Sequence, residues 1–214
     1  MRPLFQTSIP KSGTHLLRHI LDMEWYDDHR IGKIKLSDGR WVRYKLSLDK
    51  RHIVGHIQYF REAERLLRGR VGVFLLRDPR DIIVSWHHWL DNCASHHIFS
   101  TLMAGHNIKD AEDRIAALIE SLKFVVEGFV PWMSHPDILP IRYEELMEDP
   151  EQALAGVAES LGLPLGNMVE KAKFRGGTTY RKGTPGDWET EFEKHHRDAF
   201  DEGWANIMDA FGYA

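Results

Sequence analysis

A chain of 214 residues with 43% hydrophobic side chains is long enough to bury a core and too apolar to read as disordered. Its net charge of −4 argues against general nucleic-acid binding. The single cysteine, Cys93, makes no internal disulfide, no apolar run approaches the ~20 residues that cross a bilayer, and the first residues lack an apolar signal segment, so a cytoplasmic protein with no membrane partner is expected.

In chain order, residues 4–9 read as a short buried strand, and Leu16, Leu17, Ile20 and Leu21 fall at helical spacing. Between them Pro10-Lys11-Ser12-Gly13-Thr14-His15 forms a loop where a strand feeds a helix start. The first N–H groups of a helix have no acceptor inside it and favour an anion. Gly13 lets a backbone approach one closely, and Lys11 with the Ser12 and Thr14 hydroxyls adds a charge and further donors. This is not a Walker A loop, which requires a second glycine ahead of a Gly-Lys pair, whereas here Lys11 precedes the glycine. On this stretch alone an ordinary capped helix start fits equally well.

Residues 31–48 alternate about the turn Ser37-Asp38-Gly39, which predicts a β-hairpin inserted into a βα rhythm, either as a lid or acceptor-binding element or as a plain surface hairpin. Residues 52–56 form a short apolar strand ending in His56, with a helix over 60–67 behind it. His56 therefore falls at a strand C-terminus, the edge at which open α/β sheets bind ligands; a histidine merely hydrogen-bonded at a strand end is the plainer alternative. Residues 71–76 are uniformly apolar, as in a strand covered on both faces, and deliver Arg77-Asp78-Pro79-Arg80-Asp81 to the same edge. Pro79 and Asp81 suit the first turn of the next helix; if Arg77 grips an anion at the helix mouth, Ser85, two turns along, is a candidate second donor to it, although helical geometry alone does not require this.

Residues 111–132 predict a long amphipathic helix, and 138–143 a strand with Tyr143 at its end, where Pro140 points to a sheet edge. Asp149-Pro150 opens a helix that closes at Gly162, with Pro164 beyond as a stop. The stretch 175–188 has no hydrophobic period, and its Arg181-Lys182-Gly183 suggests a basic flap closing over an anion. One helix over 189–211 ends the chain. Thirteen histidines include the pairs 87–88, 96–97 and 195–196, but neighbours on a helix point in different directions and no Cys/His or carboxylate spacing suits zinc, so no metal is expected. Trp25, Tyr26, Trp41, Trp86 and Trp89 fit either an aromatic acceptor pocket or the core. The predicted architecture is a single α/β domain over residues 1–214, with a central parallel sheet flanked by helices.

Four segments, in order, resemble the soluble sulfotransferases that use 3′-phosphoadenosine 5′-phosphosulfate (PAPS). Pro10-Lys11-Ser12-Gly13-Thr14 looks like the family's 5′-phosphosulfate loop, and the run from Arg77-Asp78-Pro79-Arg80-Asp81 to Ser85-Trp86 looks like its 3′-phosphate segment. Arg142-Tyr143-Glu144-Glu145-Leu146 is similar to the adenine-side strand end, and Arg181-Lys182-Gly183 with Gly186-Asp187-Trp188 to the nucleotide flap. The resemblance spans most of the chain. It implies a P-loop nucleotide-kinase-like fold, PAPS as co-substrate, 3′,5′-adenosine bisphosphate (PAP) as product, and no metal.

By position, it implies that Lys11, Ser12, Gly13, Thr14 and His15 hold the phosphosulfate, that Arg77, Ser85, Arg181, Lys182 and Gly183 hold the 3′-phosphate, and that Tyr143 faces the adenine. His56 matches the family's catalytic histidine. His15 stands where the family often has a second threonine, Leu16 where it has a tryptophan, and Val54 where soluble animal members carry a lysine. The implied reaction is in-line sulfuryl transfer to a hydroxyl or amine of a small molecule, with His56 as general base and Lys11 stabilising the leaving phosphate. A P-loop-type small-molecule or nucleotide kinase is the alternative; a nucleotide-binding module without catalysis fits only if His56 is dispensable.

Overall fold

The computed structural model describes residues 1–22, 30–35, 37, 41–46, 51–92, 108–174 and 183–213. These fall into two compact units, one of Met1–Arg77 with Pro131–Tyr180 and one of Asp78–Val130 with Arg181–Ala214.

The first unit is an α/β layer built on β1 (Leu4–Ser8), which is buried along its whole length. Six strands order as β2-β3-β4-β1-β5-β6, where β2 is Arg30–Lys35, β3 Trp41–Leu46, β4 Ile53–Gly55, β5 Val71–Leu76 and β6 Ile138–Arg142. The last four in that order run parallel, and the predicted hairpin joins the sheet antiparallel through β3. Pro140 lies in the edge strand β6, where its missing N–H breaks no ladder. The chain leaves β1 for β4 on one side and then crosses to β5 on the other. Such a reversal of strand order opens a crevice outside the carboxyl ends of the strands.

On one face Leu4, Val54, Val73, Leu75 and Ile141 pack against α1 (Thr14–Ile20), α5 (Tyr143–Glu148), α6 (Pro150–Leu161) and α7 (Leu165–Ala172) through Leu17, Ile20, Leu146, Leu154 and Met168. The α6 ends follow the sequence signals: the Asp149 carboxylate accepts from the Gln152 N–H at 3.0 Å, and Gly162 turns left-handed at φ 66°. Helix α7 differs from expectation, because Pro164 caps its start as well as ending the preceding stretch. On the other face Phe5 meets Trp132 at 5.4 Å. Between β4 and β5 lies the expected helix, a 3₁₀ turn at Arg61–Ala63 running into α2 (Glu64–Leu67).

The second unit is helical: α3 (Pro79–Asn92), α4 (Arg114–Glu127), α8 (Trp188–Glu191) and α9 (Lys194–Phe211). The single helix expected over 189–211 is thus two. Phe192 is extended and buried, and Glu193 starts α9 with a reciprocal capping box to His196, so the chain restarts rather than continues. Trp204 of α9 donates its indole N–H to the Ile119 carbonyl of α4 at 3.1 Å. Among the described residues no helix is long and apolar enough to cross a membrane.

Candidate active site

Parallel pairing brings the carboxyl ends of β1, β4, β5 and β6 to one edge, and with them Lys11, His56, Arg77 and Tyr143. The loop after β1 is stapled down from within. Ser12 is fully buried, and its hydroxyl donates to the carbonyls of Ile9 (2.6 Å) and Leu75 (3.2 Å). This differs from the expectation that the Ser12 hydroxyl serves an anion: its proton already satisfies main-chain carbonyls, so Ser12 shapes the loop and ties it to β5. Lys11 and Gly13 both take left-handed backbone, at φ 74° and 95°. Turns of this kind direct successive N–H groups into one concavity, the common form of a backbone anion site. The first α1 hydrogen bond runs from the Leu17 N–H to the Gly13 carbonyl.

Gly13 is required here for space as well as conformation. A Cβ on it would lie 2.7 Å from Cδ2 and 2.8 Å from Cε2 of Tyr143. The Tyr143 ring, 5% exposed, therefore lies against the loop backbone, and the Arg77 guanidinium, 8% exposed, sits 4.7 Å from the same ring's centroid. A guanidinium withheld from water at the carboxyl edge is a fixed positive charge suited to a phosphate. Together with Lys11 and the loop N–H groups, it makes this edge a cluster of anion donors.

His56 follows β4 and is held from two directions. Its Nδ1 lies 2.8 Å from the Ser8 carbonyl oxygen. A carbonyl only accepts, so Nδ1 carries a proton, and in the neutral ring Nε2 presents the lone pair. The next residue is clamped: the Ile57 N–H donates to Thr7 Oγ1 at 3.0 Å, the Thr7 hydroxyl donates to the Ile57 carbonyl at 2.8 Å, and the Trp132 indole N–H reaches that same carbonyl at 2.9 Å. Thr7, Ser8 and Trp132 are thus the positioning residues that the sequence motifs did not single out. Val54, where a second lysine was in question, is 3% exposed and packed in the core, so that position brings no charge. The His15 side chain is exposed.

Ser85, on α3, and Gly183, left-handed at φ 66°, belong to the second unit. Arg181 and Lys182 lie outside the described residues, as do Trp25 and Tyr26. Within the second unit the end of the flap is anchored to α3. Asp81, 1% exposed, accepts from the N–H groups of Gly186 (2.9 Å) and Trp188 (3.2 Å), while Arg80, paired with Asp78, lies 3.9 Å over the Trp188 ring. Trp86 is buried and meets Trp89 edge-on at 5.1 Å.

One histidine pair departs from expectation. His195 and His196 both reach Asp113, the N-cap of α4, at 2.8 and 2.9 Å, with their rings 3.9 Å apart. His196 folds back to cap its own helix, its Nδ1 accepting from the Glu193 N–H at 3.1 Å, so its Nε2 carries a proton and donates it to Asp113. That protonation suits a hydrogen-bonded joint between two helix starts; a metal at Nε2 would need the proton on Nδ1, facing another N–H. Burial tends to raise the Asp113 carboxyl, but the Ala116 N–H and the two imidazoles outweigh it and hold the group well below the usual carboxylate range.

Comparison with known proteins agrees with this fold. Solved structures of the sulfotransferase fold superpose on it: mouse sulfotransferase SULT7A1 complexed with PAP has a TM-score of 0.65 at 18% identity, over 97% of this chain and 84% of that one. Retinol dehydratase in complex with androsterone and the inactive cofactor PAP gives 0.62 at 15%, over 97% and 81%. The sulfotransferase domain model matches residues 2–212, and the chain belongs to that family. Sulfotransferase 2B1 of Homo sapiens is 25% identical over 259 residues, covering 96% of this chain but only 66% of that protein. The Mus musculus form is 26% identical, over 96% and 71%.

Proposed function

We propose that the chain transfers the sulfuryl group of PAPS to a hydroxyl or amine of a small-molecule acceptor. The observation that carries this reading is the His56 ring, whose Nδ1–H donates to the Ser8 carbonyl at 2.8 Å and leaves Nε2 as a base beside the Lys11 loop. Nε2 takes the acceptor's proton as the new S–O or S–N bond forms, and the bond from sulfur to the 5′-phosphate oxygen breaks in line with it. The charge growing on that oxygen meets Lys11 and the N–H groups at Gly13, Thr14 and His15. PAP is the product. Arg77 holds the 3′-phosphate and Tyr143 lies on the adenine side; the sequence match adds Ser85 and Arg181-Lys182-Gly183 to the same phosphate. The solved relatives with PAP support the donor, and the retinol dehydratase complexes with androsterone and with retinol support small hydroxylated acceptors.

The test is a labelled-donor assay over phenols, hydroxysteroids, retinoid alcohols and amines, run without magnesium. Label appearing in an acceptor, and appearing at least about a hundredfold more slowly with His56→Ala, supports the reading. Transfer of phosphate from ATP with magnesium, and none of sulfate from PAPS, would establish the kinase alternative instead.

A further inference from the structure

The side chain of Ser8 stands between the two halves of the proposed site, and this inference rests on that reading. Its Oγ lies 2.9 Å from Thr14 Oγ1, in the first turn of α1, and 3.3 Å from His56 Nδ1, whose nearer partner is the Ser8 carbonyl at 2.8 Å. Ser8 itself is fully buried, while Thr14 is half-buried and His56 exposed, so the chain of contacts runs from a buried centre to the surface of the site.

The proton directions follow from the one group whose role is unambiguous. The carbonyl accepts, so Nδ1–H is a donor, and toward Ser8 Oγ it donates as well, in a three-centre bond. With that lone pair engaged, the Ser8 hydroxyl gives its own proton to Thr14 Oγ1. The Thr14 proton is then directed onward to a further acceptor. The chain runs one way, from Nδ1–H through Ser8 O–H and Thr14 O–H, and an anion in the loop completes it. In the opposite order Thr14 donates to Ser8, whose oxygen then accepts twice and whose own proton, in a buried residue, is left with no acceptor among the described residues. Hydrogen bonds in such a chain polarise one another, so filling one end strengthens the other.

We propose that Ser8 is a positioning residue that couples occupation of the phosphosulfate loop to His56: an anion accepting from Thr14 orients both hydroxyls so that Nδ1–H gains a second acceptor, which fixes Nε2 as the basic nitrogen once the donor is bound. The Ser8 carbonyl sets the tautomer, and the Ser8 hydroxyl makes it responsive to the donor.

The test uses the full chain carrying ¹⁵N-histidine, with the His56 ring signals assigned by their loss in His56→Ala, and PAP as the probe. In wild type, PAP should shift the two His56 nitrogens further toward the pattern of a protonated Nδ1 and a lone-pair Nε2. Ser8→Ala should lose that shift while binding PAP within about fivefold of wild type, the worth of one neutral hydrogen bond. Ser8→Thr, which keeps the hydroxyl, should restore it. An equal PAP-induced shift in Ser8→Ala, or a His56 that carries its proton on Nε2 with PAP bound, would overturn the coupling and leave the donor site standing. No PAP binding by wild type would overturn the donor-site reading and the coupling with it.

Discussion

At the scale of single residues the site depends on where protons and Cβ atoms are allowed to be. His56 is fixed by a carbonyl that cannot donate and by a clamp on Ile57, and neither uses a group assigned to the nucleotide. His56→Ala should therefore lower turnover by about 10²–10⁴, with PAP affinity nearly unchanged in a calorimetric titration. His56→Gln, which hydrogen-bonds without basicity, should do no better. Turnover above about a tenth of wild type in both variants, below the low end of that range, would remove His56 from the chemistry. Gly13 makes the opposite kind of demand. Its φ of 95° and the Tyr143 ring, 2.7 Å from any added Cβ, together exclude a side chain. Gly13→Ala should cost about 2–4 kcal/mol in urea unfolding and weaken PAP binding, because the loop or Tyr143 must move. An alanine variant with wild-type stability and affinity would show that the loop is looser than its geometry states.

At the scale of elements, helix starts are joined to one another by side chains that serve two helices. Asp81 near the start of α3 receives the main-chain N–H groups of Gly186 and Trp188, so Asp81→Ala leaves two donors without their acceptor. The variant should lose about 2–4 kcal/mol in chemical denaturation, and Asp81→Asn, which keeps an acceptor oxygen, should lose less. Equal losses would mean that charge, and not hydrogen bonding, is what matters there. Asp113 joins α4 to α9 and carries a pH signature. Its carboxyl is held below the ordinary range by the Ala116 N–H and by His195 and His196, which together outweigh the opposing effect of burial. A carboxyl depressed in the folded state contributes stability above the unfolded pKa, ~3.9, and loses it as pH falls from there toward the folded value. Thermal melts should thus drop below about pH 4 more steeply in wild type than in Asp113→Asn, which keeps the cap but not the titration. Parallel curves would assign the acid lability elsewhere.

At the scale of the whole molecule, ligand linkage separates the two readings of the fold without knowledge of the acceptor. A ligand that binds only the folded chain stabilises it by about 2.7 kcal/mol at a hundred times its Kd. PAP should raise the melting temperature without magnesium, whereas ATP with magnesium should not; the reverse result would favour the kinase reading. Arg77→Lys should remove much of the PAP effect, since a point charge does not replace a guanidinium fork.

Much of this was legible in the chain, because it depends on local pattern. Apolar runs of strand length end in Lys11, His56, Arg77 and Tyr143, and parallel strands place like ends at one edge, so the motifs alone located these residues together. Caps at Asp149 and Gly162 and the 31–48 hairpin were equally local. What only the tertiary structure decided is which side chains meet across long separations. Ser8 and His56 are 48 residues apart and Asp81 and Gly186 are 105 apart, and periodicity carries no information about such partners. The pair His195-His196 converges because one ring folds back to cap its helix, which overrides the helical spacing of their Cβ atoms. Ser12, expected to face an anion, is drawn inward by two carbonyls, since a buried hydroxyl must satisfy its proton on whatever acceptor the packed sheet provides.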